Sequence, residues 1–157
     1  MRTGIGYDCH RLAAGRRLVL GGVELEHELG LDGHSDADVL THAIIDALLG
    51  ACALGDIGQH FPDTDPRYRD ADSIELLRAT LGILREAGYA VDHVDASVII
   101  ERPKLAPARD RMRARLAQAL DLDVAQVSVK ATRGEGMGFV GREEGVAALA
   151  LATVRTF

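Results

Sequence analysis

The chain has 157 residues, of which 47% are hydrophobic and 27% charged, a balance that suits one globular domain with a substantial core. Its net charge of −6, its 4% aromatic content and its lack of Trp argue against broad nucleic-acid binding, which needs a basic surface and stacking platforms. The two cysteines, Cys9 and Cys52, form no disulfide framework, so a cytoplasmic location is expected. No basic flank followed by an apolar run marks a signal peptide. The apolar stretch from Ala43 to Leu54 is interrupted by Asp46 and is too short to cross a bilayer. No repeat or linker divides the sequence, so residues 1–157 are expected to form a single domain.

Met1 to His10 reads as a strand, because Ile5, Tyr7 and Cys9 alternate with small or polar positions. Period two puts Asp8 and His10 on one face and Cys9 on the other. A carboxylate beside an imidazole offers two ligands to a borderline metal such as zinc; taken alone, the pair reads more simply as a polar strand end. Leu18-Val19-Leu20, Gly21-Gly22, Val23 and Leu25 predict a small hairpin, and Glu28 to Gly33 a loop. A helix is expected to start at His34-Ser35-Asp36-Ala37-Asp38, with Ser35 as N-cap and Asp38 completing a capping-box-like pattern. It runs to about Cys52, with Leu40, Ala43, Ile44, Ala47, Leu48 and Ala51 as its apolar stripe. Asp38, His42 and Asp46 share a different face. His42 is therefore either a third metal ligand, oriented by Asp38 or Asp46, or part of a His–Asp pairing on a solvated face.

Leu54 to Pro66 holds glycines, prolines and aspartates that disfavour regular structure. A loop of this length is usually functional or mobile. Ser73 is expected to cap a second helix through Ala87, with Ile74, Leu77, Leu81 and Leu84 inward and Gly88 closing it. Val91 to Arg102 reads as a strand ended by Pro103. Pro107 suits the first turn of a third helix to about Leu120, with Met112, Leu116 and Leu120 inward and Arg109, Arg111, Arg113 and Arg115 outward. Gln126 to Thr132 predicts a strand that feeds the glycine-rich turn Arg133 to Gly138. Val146 to Val154 fits a buried strand, and periodicity alone also allows a short helix. The order predicts an α/β fold of the α+β type, a mixed β-sheet with helices on one face. The small and apolar residues on its strands imply that another subunit covers the other face.

The polar groups gather at element ends. The expected helix start at Ser35 has free N–H groups suited to an anion, and His42 follows about 10 Å along that helix. A phosphorylated ligand can span the two. Asp8, His10 and His42 would leave zinc an open fourth position, the pattern of a catalytic site. These features point to metal-assisted chemistry on a phosphate ester.

Several motifs then occur in order: Gly4-x-Gly6-Tyr7-Asp8-x-His10, His34-Ser35-Asp36-x-Asp38-Val39 with His42, Gly55-Asp56-Ile57-Gly58 with Phe61-Pro62-Asp63-Thr64-Asp65-Pro66, Pro103-Lys104, and Lys130-Ala131-Thr132 with Glu135 and Gly138-Phe139. Together they resemble the 2-C-methyl-D-erythritol 2,4-cyclodiphosphate synthase family of the non-mevalonate isoprenoid pathway, over essentially the whole chain. The resemblance implies a homotrimer with active sites between subunits. It implies a lyase that cyclises 4-diphosphocytidyl-2-C-methyl-D-erythritol 2-phosphate and releases CMP. Asp8, His10 and His42 match its zinc ligands, and Glu135 the residue that holds magnesium or manganese against the diphosphate. His34 and the Arg133 position match catalytic residues that stabilise the transferring phosphoryl group. Asp8, His10, His34, Ser35, Asp56, Ile57, Gly58, Phe61 and Asp63 match substrate contacts on the erythritol and phosphate side. Ile100, Pro103, Lys104, Leu105, Ala106, Ala131 and Thr132 match the neighbouring subunit's cytidine pocket. Phe139 and Arg142 match positions near the trimer axis. The family usually has a small polar residue where this chain has Arg133, so Arg133 either supplies a charged donor to the β-phosphate or turns away. Cys9 stands where the family has an aliphatic residue and is expected to be a small core residue. Two other readings stay open: a phosphoesterase using zinc-bound water, and a trimeric nucleotide-binding protein without turnover.

Overall fold

The computed structural model describes residues 1–157. Its strands are β1 (Arg2–Ala14), β2 (Leu18–Leu20), β3 (Val23–Leu25), β4 (Leu29–Leu31), β5 (Tyr89–Ile99), β6 (Val127–Thr132) and β7 (Gly145–Thr156). Its helices are α1 (Val39–Cys52), α2 (Ile57–His60), α3 (Ser73–Glu86), α4 (Arg109–Leu120) and α5 (Gly138–Gly141). The main sheet has the order β4-β1-β7-β5-β6, and β2-β3 form a separate hairpin. Only β5 and β6 pair in parallel, and α4 supplies the crossover that a parallel connection requires. The expected mixed sheet, with α1, α3 and α4 packed on one face, is what forms.

Helix α1 is the centre of the core. Apart from Asp46 and Gly50, all its residues are buried, as expected of a helix apolar nearly all round. One side lies on β1, and here backbone meets backbone. A Cβ on Gly6 would stand 1.9 Å from the Ala43 carbonyl oxygen, and one on Gly4 would stand 2.1 Å from that of Ala47. The glycines of Gly4-x-Gly6 let the strand sit against the alanines spaced four apart along α1. Because successive strand residues alternate faces, Asp8 and His10 follow Gly4 and Gly6 toward the helix.

The opposite face of β1 carries Ile5 and Tyr7, 65% and 54% exposed, beside Leu149 and Leu151 of β7, 40% and 45% exposed. Cys9 lies on this exposed face too. It is not a core residue, because the pleat that turns Asp8 and His10 inward turns Cys9 out.

Several boundaries differ from the sequence reading. Strand β1 continues past His10 to Ala14, pairing with β4, so part of the expected loop from Glu28 to Gly33 is a strand. The first helix starts at Val39 with Asp38 as its cap, not at Ser35. Ala37 has a φ of +56°, which breaks the helical path before Asp38. Asp72 rather than Ser73 caps α3, accepting from Ile74 N at 2.9 Å. The Leu54–Pro66 segment contains one helical turn, α2, capped by Asp56.

Substituting Gly6→Ala is expected to lower the free energy of unfolding by at least about 2 kcal/mol, because the added methyl meets backbone that cannot rotate aside. Urea unfolding measures this, and parent-like stability would contradict the contact.

Candidate metal centre

Asp38 builds the frame. It is fully buried, and four donors reach its carboxylate. Oδ1 accepts from Gly21 N at 2.9 Å and Thr41 N at 3.0 Å; Oδ2 accepts from Gly22 N at 2.7 Å and the Thr41 hydroxyl at 2.8 Å. This carboxylate ties the β2-β3 turn to the N-terminus of α1 and occupies the helix end expected to take an anion. His34 and Ser35 therefore sit in the preceding loop. Arg16 holds that loop by donating to the carbonyls of Leu31, Gly33 and Ser35.

His42 follows in the first turn of α1 and is 8% exposed, which excludes the solvated-face reading. Its Nδ1 lies 3.1 Å from Asp8 Oδ2 and 3.3 Å from His10 Nε2, and His10 Nε2 lies 2.8 Å from the same carboxylate oxygen. The ligating atoms of Asp8, His10 and His42 thus converge, within 4.8 Å of one another.

The outer nitrogens decide what meets at that point. His10 Nδ1 donates to the Asp32 carbonyl at 3.0 Å, and a carbonyl can only accept. His42 Nε2 lies 2.8 Å from the Ser73 hydroxyl, whose own proton goes to Asp36. Each neutral imidazole therefore turns a lone pair toward the Asp8 carboxylate. A divalent cation between these three atoms, or in its absence a proton on an imidazole, relieves their repulsion. Two imidazoles and a carboxylate without thiolate suit a divalent transition metal, zinc among them. Asp38 and Asp46 do not orient His42, as Asp46 is occupied by Ile57 N at 2.8 Å. The side chains within reach of His42 Nε2 are the hydroxyls of Ser73 and Ser35. The sequence reading gave Ser73 only a capping role, and its spacing from His42 carries no signal of this contact.

The cluster opens into a cleft of about 390 Å³ that His34, Ser35, Ile57, Gly58, Phe61 and Asp63 also line, as expected. Gly33, Pro62, Tyr68 and Leu76 complete it. His34 donates Nε2–H to the Asp65 carbonyl at 3.0 Å, which leaves Nδ1 unprotonated in the neutral ring. Phe61 packs edge-on against Tyr68, with ring centres 5.5 Å apart. Asp56 is absent from this lining; its Oδ1 accepts from Gln59 N.

A second cleft, of about 180 Å³, gathers Ile100, Pro103, Lys104, Leu105, Ala106, Ala131, Thr132 and Arg133, joined by Glu101 and Arg109. It shares no lining residue with the first. Arg133 turns to Glu101 at 3.0 Å. The Glu101 side chain is 10% exposed and also accepts from Gly134 N at 2.8 Å and Gly136 N at 3.4 Å. The sequence reading missed Glu101, whose partners lie beyond a whole helix and strand. Glu135 is exposed, with a φ of +54°, and stands apart from the Asp8 cluster in this single chain. Phe139 lines a third cleft with Cys9, His10, Arg11, Glu144 and Gly145, and Arg142 pairs with Glu144 at 2.9 Å.

The match to the model of the YgbB family spans residues 1–155. The chain belongs to this family. A relative in Salinibacter ruber named 2-C-methyl-D-erythritol 2,4-cyclodiphosphate synthase is 60% identical over 156 residues, covering 99% of both chains. Among solved structures of YgbB-like chains, the bifunctional IspDF from Campylobacter jejuni superimposes with a TM-score of 0.96 at 42% identity, over 99% of this chain and 42% of that one. The CDP complex of IspF from Plasmodium falciparum gives 0.86 at 30% identity, over 99% and 96%.

Burial pushes the Asp8 carboxyl up, but hydrogen bonds and charge from His10 and His42 outweigh it and hold the group at about 2. Burial pushes His10 down, and Asp8, with help from the Asp32 carbonyl, lifts it above its ordinary value of 6.5. In the metal-free protein the depressed Asp8 stabilises the fold above its ordinary 3.8 and loses that contribution as pH falls toward 2. Protonated His10 stabilises it fully below 6.5, and that contribution is lost as pH rises through the raised His10 value. The metal-free parent, compared with a His10→Gln variant, is expected to lose melting temperature as pH rises above the ordinary 6.5. Saturating divalent metal reverses the trend, because it binds the imidazole without its proton. Parallel melting curves for parent and variant would contradict the assignment.

Proposed function

We infer that this chain converts 4-diphosphocytidyl-2-C-methyl-D-erythritol 2-phosphate to 2-C-methyl-D-erythritol 2,4-cyclodiphosphate and CMP, a step of isoprenoid biosynthesis. The observation that carries this reading is identity to named synthases along the full chain, joined to an Asp8, His10 and His42 cluster at the floor of a cleft. The CDP complex of the Plasmodium falciparum protein supports a cytidine diphosphate ligand.

The reaction needs little from a base. The 2-phosphate is largely ionised at neutral pH, since the second pKa of a phosphate monoester is about 6. One of its oxygens forms a bond to the β-phosphorus, the bond from that phosphorus to the CMP oxygen breaks, and no water is consumed. The obstacle is the approach of two anions. Asp8, His10 and His42 would hold a divalent cation, zinc in this reading, which would supply positive charge to phosphoryl oxygens. Glu135 would hold a second cation, magnesium or manganese. His34 and Ser35 face the cleft from the loop held by Arg16 and assist with polar contacts to the phosphates. Ile57 and Gly58 border the erythritol, with Asp56 fixing their turn and Asp63 and Phe61 closing the far wall.

The cytidine would lie in the cleft of Ile100, Pro103 to Ala106, Ala131 and Thr132, contributed by a neighbouring copy. The exposed Ile5, Tyr7, Leu149 and Leu151 support an assembly that covers this sheet face, and a homotrimer is the proposed form. Phe139 and Arg142 would then approach its axis. Arg133, paired with Glu101, serves to shape the glycine-rich turn that carries Glu135. No helix is long and apolar enough to cross a membrane, in keeping with a proposed cytoplasmic enzyme.

Phosphorus NMR of the purified protein with the diphosphocytidyl substrate tests the reaction. Equimolar CMP and cyclic diphosphate are expected; release of inorganic phosphate would favour a phosphoesterase instead. His42→Ala is expected to reduce CMP formation by more than about 100-fold, beyond the loss typical of groups that only support a ligand, with metal content falling in parallel. Glu135→Gln is expected to raise the magnesium concentration needed for half-maximal rate; an unchanged titration removes Glu135 from the second cation.

A further inference from the structure

We propose that Ser73 and Asp36 are positioning residues that hold His42 in the tautomer able to bind metal, and so set the affinity of the centre. The inference rests on the metal reading of the Asp8, His10 and His42 cluster. Ser73 is fully buried at the first position of α3. The Asp36 carboxylate faces it twice, one oxygen accepting from Ser73 N at 3.0 Å and the other from the Ser73 hydroxyl. An ionised carboxylate can only accept, so the hydroxyl proton is committed to Asp36. The remaining capacity of Ser73 Oγ is to accept, and the group facing it is His42 Nε2 at 2.8 Å. The direction of every hydrogen bond in this chain is fixed from its acidic end. Ser73 thereby favours the His42 tautomer that carries its proton on Nε2 and keeps Nδ1 free beside Asp8.

Ser35 does not duplicate this. Its hydroxyl lies farther from His42 Nε2, at 3.2 Å, and accepts the Ala37 N–H, but no carboxylate claims its proton, so it does not fix the direction of the bond. Capping of α3 does not account for the arrangement either, because the side chain of Asp72 caps that helix. The pair joins the loop before α1 to the start of α3, so two separate elements agree on the orientation of one imidazole.

Asp36→Asn is the sharpest substitution. The shape is unchanged, but one acceptor becomes a donor. With the amide nitrogen in the Oδ2 place it faces the Ser73 N–H; in the Oδ1 place it faces Ser73 Oγ and the Asp38 N–H, which Oδ1 accepts at 3.1 Å. In the second orientation the hydroxyl proton turns toward His42 Nε2 and drives the imidazole proton onto Nδ1. Ser73→Ala removes the acceptor outright. Asp72→Ala weakens the end of α3 without touching His42 and serves as the control.

Zinc affinity of each metal-free protein is measured by competition with a chromogenic chelator, alongside thermal melting and the nitrogen-15 spectrum of the histidine side chains. Ser73→Ala and Asp36→Asn are expected to weaken zinc binding by roughly 10- to 100-fold. Asp36→Asn should also move His42 signal intensity from the Nε2–H to the Nδ1–H form. Asp72→Ala should lower the melting midpoint and leave affinity within about twofold of the parent, since it removes no ligand support. Should Ser73→Ala not fold, Asp36→Ala, which removes both acceptors, decides alone. Parent-like affinity in Ser73→Ala, or in Asp36→Ala where Ser73→Ala does not fold, would overturn the proposal, as would an equal loss in Asp72→Ala. A folded parent that binds no zinc would overturn the metal reading itself, and the proposal with it.

Discussion

The contact on which the structure depends is the bare-backbone approach of β1 to α1. Gly4 and Gly6 present no side chains, and Ala43, Ala47 and Ala51 meet them with the least bulk a helix offers. The docking admits one register. His42 adjoins Ala43, and Asp8 stands one pleat beyond Gly6, so the register that packs the core also brings the ligands together. A slip of one residue would turn Asp8 and His10 to the far side of the sheet. The same alternation sends Ile5 and Tyr7 outward, and the apolar face offered to a neighbouring copy is the other half of that pleat.

Around this contact, polar groups act mainly by fixing direction. The buried Asp38 consumes four donors and joins a hairpin turn to the start of α1. Arg16 gathers three carbonyls of the next loop. Asp32 and Ser73 take the outer protons of the two imidazoles. The inner nitrogens face a carboxylate, an arrangement that a proton on His10 relieves in the metal-free protein and that suits a divalent cation. A glycine-rich turn is held in the same manner by Glu101 at the second cleft.

Much of this was legible in the sequence, for identifiable reasons. Period two placed Asp8 beside His10, and the ordered motifs matched the family along the whole chain. Elements with a clear apolar stripe, such as α3 and α4, fell where periodicity put them. What escaped depended on long-range partners. Ser35 and Asp38 are both competent caps, and only the turn at Gly21 and Gly22, which binds Asp38, selects between them. The polar row Asp38, His42 and Asp46 resembles a solvated face because sequence cannot reveal what lies over it. Strand β4 is three residues long and contains a glycine, too little for a β pattern. Ser73 reads as an ordinary cap residue, and its bond to His42 spans 31 positions.

X-ray absorption at the zinc edge of the zinc-loaded protein tests the central claim most directly. If β1 and α1 meet at one cation, the spectrum will contain two imidazoles and an oxygen shell near about 2.0–2.1 Å, with no sulfur. A zinc–sulfur shell near about 2.3 Å, placing the ion on Cys9 or Cys52, would contradict it.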